Sequence, residues 1–121
     1  MNPTQTVNVS VVQDAPVLFQ LAQTIEKIGD LTQKATNQQT DLVLFPEAFI
    51  PAYPRGLGFG MVVGSRNDSG RDLWQKYWEN AVLLDSPEVN LLCKIARQND
   101  VFLSVITPFT IFWHNTWKII N

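Results

Sequence analysis

DLVLFPEAFIPAYPRG, residues 41–56, joins a short apolar run to a carboxylate set between prolines, and then to a turn-rich stretch. Leu42, Val43, Leu44 and Phe45 form a continuous apolar run of the kind found in a strand covered on both faces. Pro46 interrupts it, Glu47 follows at once, and Pro51 and Pro54 come soon after. Such a strand belongs to a parallel sheet, whose strands are joined by crossover helices.

The flanking sequence supplies those elements. Residues 7–12 are rich in Val and alternate as a strand does, until QDAP breaks the pattern. After Pro16, a residue suited to a helix's first turn, Leu18, Leu21, Ala22, Ile25, Ile28, Leu31 and Ala35 recur at spacings of three and four. This stripe predicts an amphipathic helix lying on a sheet and ended by NQQT, residues 37–40. Strand, helix, strand in that order gives a right-handed crossover between parallel neighbours. Downstream, residues 51–70 hold Pro51, Pro54, Gly56, Gly58, Gly60, Gly64 and Gly70, which predicts a long loop. A helix is expected over 71–82. The next begins with Ser86 as N-cap and Pro87 at its first position, with Val89, Leu92, Cys93 and Ala96 on one side. VFLSVI, residues 101–106, is the third predicted strand. The fold class is therefore α/β, in a single domain.

The 121 residues are 45% hydrophobic, enough for one core. A net charge of −2 with scattered Lys and Arg leaves no basic footprint for nucleic acid. No run approaches the length of a membrane span and the start lacks a signal peptide's pattern, so the expected address is cytoplasmic. One cysteine excludes an internal disulfide and any paired-cysteine metal site. The sequons at Asn8 and Asn67 are then chance matches.

Parallel α/β sheets bind ligands beyond the carboxyl ends of their strands, and Glu47 falls at such an end. Position alone leaves two readings open: a site residue, or a loop carboxylate satisfied by nearby backbone N–H groups.

LVLFPEAFIPAYPRG, followed by GFG, GSR, YWENA and SPEV, resembles the N-terminal part of nitrilases in the carbon–nitrogen hydrolase superfamily, closest to those of plants and bacteria. VVQDAPV is similar to that family's first strand and turn, and the resemblance runs from residue 7 to about 106. It implies the N-terminal part of an α-β-β-α sandwich, incomplete over residues 1–121 as a carbon–nitrogen hydrolase domain. It also implies a homo-oligomer and a small nitrile or amide substrate, with no cofactor and no metal. Glu47 matches the family's catalytic glutamate. Family members attack the nitrile carbon with a cysteine thiolate, pass through a covalent thioimidate and release ammonia, with a lysine stabilising the tetrahedral intermediate. A carboxylate in a partly apolar pocket suits the proton transfers, and flanking prolines stiffen its loop. Neither the matching lysine nor the matching cysteine is found in these residues. The intact relative would convert a nitrile to a carboxylic acid and ammonia, while the chain as given is expected to be inactive alone. The alternative is a noncatalytic module that binds full-length relatives through unpaired strands.

Tyr53 and Arg55, in the loop after Glu47, are candidates for the pocket entrance or for plain surface contacts. Cys93 sits in the helical EVNLLCKIARQ and is read as a buried structural thiol, not a nucleophile. Trp74, Tyr77, Trp78 and Ala81 share one helical face and are assigned to packing, in the core or at a subunit interface. YWEN, residues 77–80, is only accidentally like the C-W-E-N around the family's nucleophile. GLGFG lacks a phosphate-binding spacing, and His114 stands without a second ligand. A receiver-like or flavodoxin-like module, suggested by Asp14 and Glu47 after successive strands, explains fewer residues. Residues 104–121 diverge from the family pattern and stay apolar and aromatic almost to the end, so the chain looks cut short. Half a sandwich would leave an apolar sheet face open, which predicts aggregation or dependence on a partner.

Overall fold

A computed structural model describes residues 4–52 and 68–107 of the chain. Tyr53, Arg55, the glycine-rich part of the loop, His114 and the tail beyond residue 107 lie outside them. The element order is β1 (Val9–Val11), α1 (Leu21–Thr36), β2 (Leu42–Leu44), α2 (Asp68–Glu79), α3 (Pro87–Gln98) and β3 (Phe102–Ser104). The strands form one parallel sheet in the order β1-β2-β3, with Ser10 beside Val43 and Val43 beside Leu103. The α/β class and the parallel pairing are as the sequence predicts, with strands trimmed at their ends.

Each helix occupies its place for a local reason. In α1 the buried positions Thr24, Ile25, Ile28 and Thr32 follow the three-and-four spacing of the predicted stripe. The helix begins later than expected. Residues 16–20 instead turn, with Phe19 at φ 52° and Gln20 N donating to Val17 O at 3.1 Å. Thr24 holds this turn by accepting from Val17 N at 3.2 Å and donating to Val17 O at 3.0 Å. Pro16 is therefore outside the helix and Leu18 is exposed. Helix α2 lies three residues earlier than predicted at both ends, with Asp68 favourably placed in its first turn. Its end is set by Asn80, whose side chain folds back to donate to Lys76 O at 2.8 Å. Helix α3 starts as expected, with the Ser86 hydroxyl accepting from Val89 N at 3.5 Å.

Both α1 and α3 lie on one side of the sheet, because they pack on each other: the Ile95 side chain would meet a Cβ placed on Gly29 at 3.6 Å. Between them and the sheet lies the core of Ile25, Ile28, Val43, Phe45, Phe49, Ile50 and Val82. The other face of the sheet carries Val9, Leu42 and Phe102 in one row and Val11, Leu44 and Ser104 in the next. Val9 and Val11 are exposed there and Phe102 is 78% exposed, while Leu42 and Leu44 are only half-buried. Among the described residues α1 and α3 cover one side of the sheet, and the other side is the apolar face that a partial sandwich is expected to leave.

One side chain predicted to be buried in the core is not. Cys93 is exposed, because the inner face of α3 runs through Val89, Leu92 and Ile95, and Cys93 lies a further 100° round the helix. On α2 the buried residues are Gly70 and Tyr77, seven apart, whereas Trp74 and Trp78 are 43% and 52% exposed. Trp74 stacks on Tyr77, with ring centroids 6.1 Å apart.

One core position is badly satisfied. The Thr32 side chain is fully buried, and its hydroxyl oxygen finds no hydrogen-bond partner among the described residues. Thr32→Val keeps the shape and removes the stranded hydroxyl, so unfolding in urea should shift to higher concentration by the equivalent of about 1–2 kcal/mol. An unchanged midpoint would mean that the hydroxyl is satisfied.

Candidate active site

In a parallel sheet all strands deliver their carboxyl ends to one edge, and here that edge receives residues 12–15 after β1, 45–52 after β2 and 105–107 after β3. The ladder runs slightly past the strands: Val12 N donates to Leu44 O at 2.8 Å and Phe45 N to Ser104 O at 3.0 Å. Phe45 is therefore held as an extra strand residue, and the chain turns immediately after it.

That turn carries Glu47. Its neighbours are driven inward: Phe45, Ala48, Phe49, Ile50, Pro51 and Ala52 are all buried, while Glu47 is exposed. Phe45 and Phe49 meet edge to face, with centroids 5.0 Å apart and planes at 61°. Ala48 takes φ 52°, a left-handed conformation unfavourable for a residue with a Cβ, so the burial on either side dictates the backbone there. A carboxylate is thus presented at the sheet edge from a base buried in the core. The apolar enclosure expected around Glu47 is not supplied by the described residues, because the apolar side chains of the turn point the other way into the core.

Two further groups organise this edge. Asp14, after β1, receives the Lys27 ammonium at 2.9 Å, and Lys27 also donates to Ala15 O at 2.7 Å. The Lys27 hydrogen bond, followed by the Ala15 N–H, holds the Asp14 carboxyl below the usual carboxylate range. A depressed folded-state value stabilises the fold above the unfolded value of 3.8 and loses that contribution as pH falls through the folded value. In Lys27→Met, the Asp14 carboxyl resonance should titrate at a higher pH than in the wild type. Identical midpoints would show that the pair does not form in solution. The second group is Asn80, whose side-chain oxygen accepts from Leu21 N at 3.0 Å across 59 residues of sequence. Nothing local in the sequence marks Asn80 for this, since its partner is the first residue of a distant helix.

The opposite edge of the sheet holds an open concavity of about 410 Å³ lined by Cys93, Ala96, Arg97, Asp100, Val101 and Phe102. It lies where α3 ends and β3 begins, so Cys93 and Glu47 belong to opposite edges. Among the described residues no three His, Cys, Asp or Glu side chains gather as a metal set, and no helix is long and apolar enough to cross a membrane. Burial raises the Tyr77 phenol above its ordinary value.

The pattern of the carbon–nitrogen hydrolase family matches residues 8–116. The chain belongs to the carbon–nitrogen hydrolase family. Within it, the chain is 43% identical to Nitrilase 1 of Arabidopsis thaliana over 101 residues, covering 84% of this chain and 29% of that one. It is 38% identical to an arylacetonitrilase of Trametes versicolor over 101 residues, 83% of this chain and 32% of the relative. A bifunctional nitrilase/nitrile hydratase of Nicotiana tabacum is 37% identical over 100 residues, 83% and 29% respectively. The chain therefore spans less than a third of the length of these curated relatives.

Proposed function

We propose that Glu47 is the general base of a nitrilase-type hydrolase that converts a small nitrile, or an amide, to a carboxylic acid and ammonia. The observation that carries this reading is the presentation of an exposed carboxylate at the carboxyl edge of a parallel sheet from a turn whose flanks are buried. The names of the relatives support the substrate class. Glu47 would take the proton of an attacking thiol and later activate the water that resolves the thioimidate. Cys93 does not suit the attack, because it projects from α3 at the far edge. Tyr53 and Arg55, which follow the Glu47 turn, are proposed to border the substrate entrance. Residues 1–121 are assigned to one carbon–nitrogen hydrolase domain, with 104–121 as its divergent tail, and the working protein is read as a cytoplasmic homo-oligomer.

A chain limited to these residues carries the glutamate without the nucleophile and should release no ammonia from aliphatic or aromatic nitriles. Turnover by the purified 121-residue chain, lost in Glu47→Gln, would overturn that part of the reading. The second reading, a noncatalytic module that docks on full-length relatives, is favoured by the open face of Val9, Val11 and Phe102. Co-purification with a tagged full-length relative, abolished by Val11→Lys, separates it from the first.

A further inference from the structure

We infer that Asn80 is a positioning residue for the Glu47 turn, acting through a junction at the carboxyl edge of the sheet. The inference rests on the reading of Glu47 as the working carboxylate. The start of α1 is tied to the end of α2 there, and the chain leaving α2 joins the core shared by the turn over residues 46–52. The start of α1 and the turn each have a local weakness that Asn80 or its neighbours offset. Helix α1 begins without a side-chain cap of its own, since Gln20 makes none. Asn80 supplies one from outside by accepting from Leu21 N at 3.0 Å. At the end of α2, Lys76 O accepts both from the Asn80 backbone N–H at 3.2 Å and from the Asn80 side-chain amide at 2.8 Å. With both ends of its amide engaged, Asn80 fixes where the chain leaves α2.

What leaves α2 next enters the core. Ala81 N bonds back to Trp78 O at 3.1 Å, and Val82, 2% exposed, joins the cluster that contains Phe45, Phe49 and Ile50. These are the buried residues around Glu47. The turn needs support from outside itself, because Ala48 is held at a positive φ that its own sequence disfavours. The Asn80 bond to Leu21 sets the seat of Val82, and Val82 helps close the core beneath the turn. A simple helix cap would stabilise the first turn of α1 and nothing more. A positioning residue also protects the turn that bears the carboxylate.

Amide hydrogen exchange of the 121-residue chain separates the two, read at Leu21, at Phe45, whose N–H bonds Ser104 O at the base of the turn, and at Phe102 in β3, whose N–H bonds Asp41 O at the far edge. In Asn80→Ala, exchange at Leu21 and at Phe45 should rise about fivefold to tenfold, while Phe102 stays near the wild type. In Asn80→Asp, one carboxylate oxygen still accepts from Leu21 N–H, but the other faces Lys76 O where an amide donated, so exchange at Leu21 should fall below that of Asn80→Ala while staying above the wild type. A rise at Leu21 alone, or an equal rise at every site including Phe102, would overturn the proposal. Should Asn80→Ala not fold, Asn80→Ser, which keeps a hydroxyl of shorter reach, is read by the same criteria. Exchange does not depend on the chemistry of Glu47, so loss of this inference and loss of the functional reading are told apart by comparing exchange with the turnover of Glu47→Gln.

Discussion

Phe49→Ala should lower the stability of the chain by about 3–5 kcal/mol, the cost of deleting a buried aromatic side chain and leaving a cavity. Phe49 is 1% exposed and meets Phe45 edge to face, so both packing and ring geometry are lost. Domains of this size hold only about 5–15 kcal/mol in all, and a small core sits near the lower end. The variant should therefore unfold at much lower urea than the wild type when followed by far-UV circular dichroism, or be largely unfolded without denaturant. A loss below about 1 kcal/mol would show that the turn over 46–52 is not part of the core, and the account of how Glu47 is presented would fail with it.

Glu47→Gln should do the reverse: little to stability and a great deal to chemistry. Glu47 is exposed and forms no part of the core, so the isosteric amide should change unfolding by no more than about 0.5 kcal/mol. In a protein that also carries the lysine and cysteine of the family's mechanism, the substitution removes the only group proposed to accept the thiol proton. General base catalysis is worth roughly 10²- to 10⁴-fold, and turnover of a nitrile should fall by that factor. Retention of turnover within a few-fold, in a variant of normal stability, would remove Glu47 from the reaction. The pair of variants is informative together, because Phe49→Ala acts on the support and Glu47→Gln on the group supported.

Much of this arrangement is legible along the chain, for reasons that differ by element. Ile25 and Ile28 sit on the predicted stripe and are buried, because one amphipathic helix on one sheet leaves little choice of face. Ser86 and Pro87 mark the start of α3 because capping is local chemistry. The misplaced features all turn on partners distant in sequence. Cys93 falls on an apolar stretch of α3, yet Ile95 is the residue that seats against Gly29, so the helix is rotated away from the face the sequence suggests. Of the aromatic face of α2, Tyr77 turns into the core of the single chain, while Trp74 and Trp78 stay on its surface. The late start of α1 follows from Thr24 gripping Val17 and Asn80 capping Leu21.

By itself, the sequence determined a parallel βαβ arrangement and the location of a carboxylate where its second strand ends. Hydrophobic periodicity and proline placement are short-range signals, and they suffice for both. Only the tertiary structure decided that Glu47 faces outward from a turn anchored by Phe45, Phe49 and Ile50, and that among the described residues no helix covers the sheet face around Phe102. Those outcomes depend on which side of the sheet α1 and α3 share. That is settled by packing between residues as far apart as Gly29 and Ile95, which no local pattern encodes.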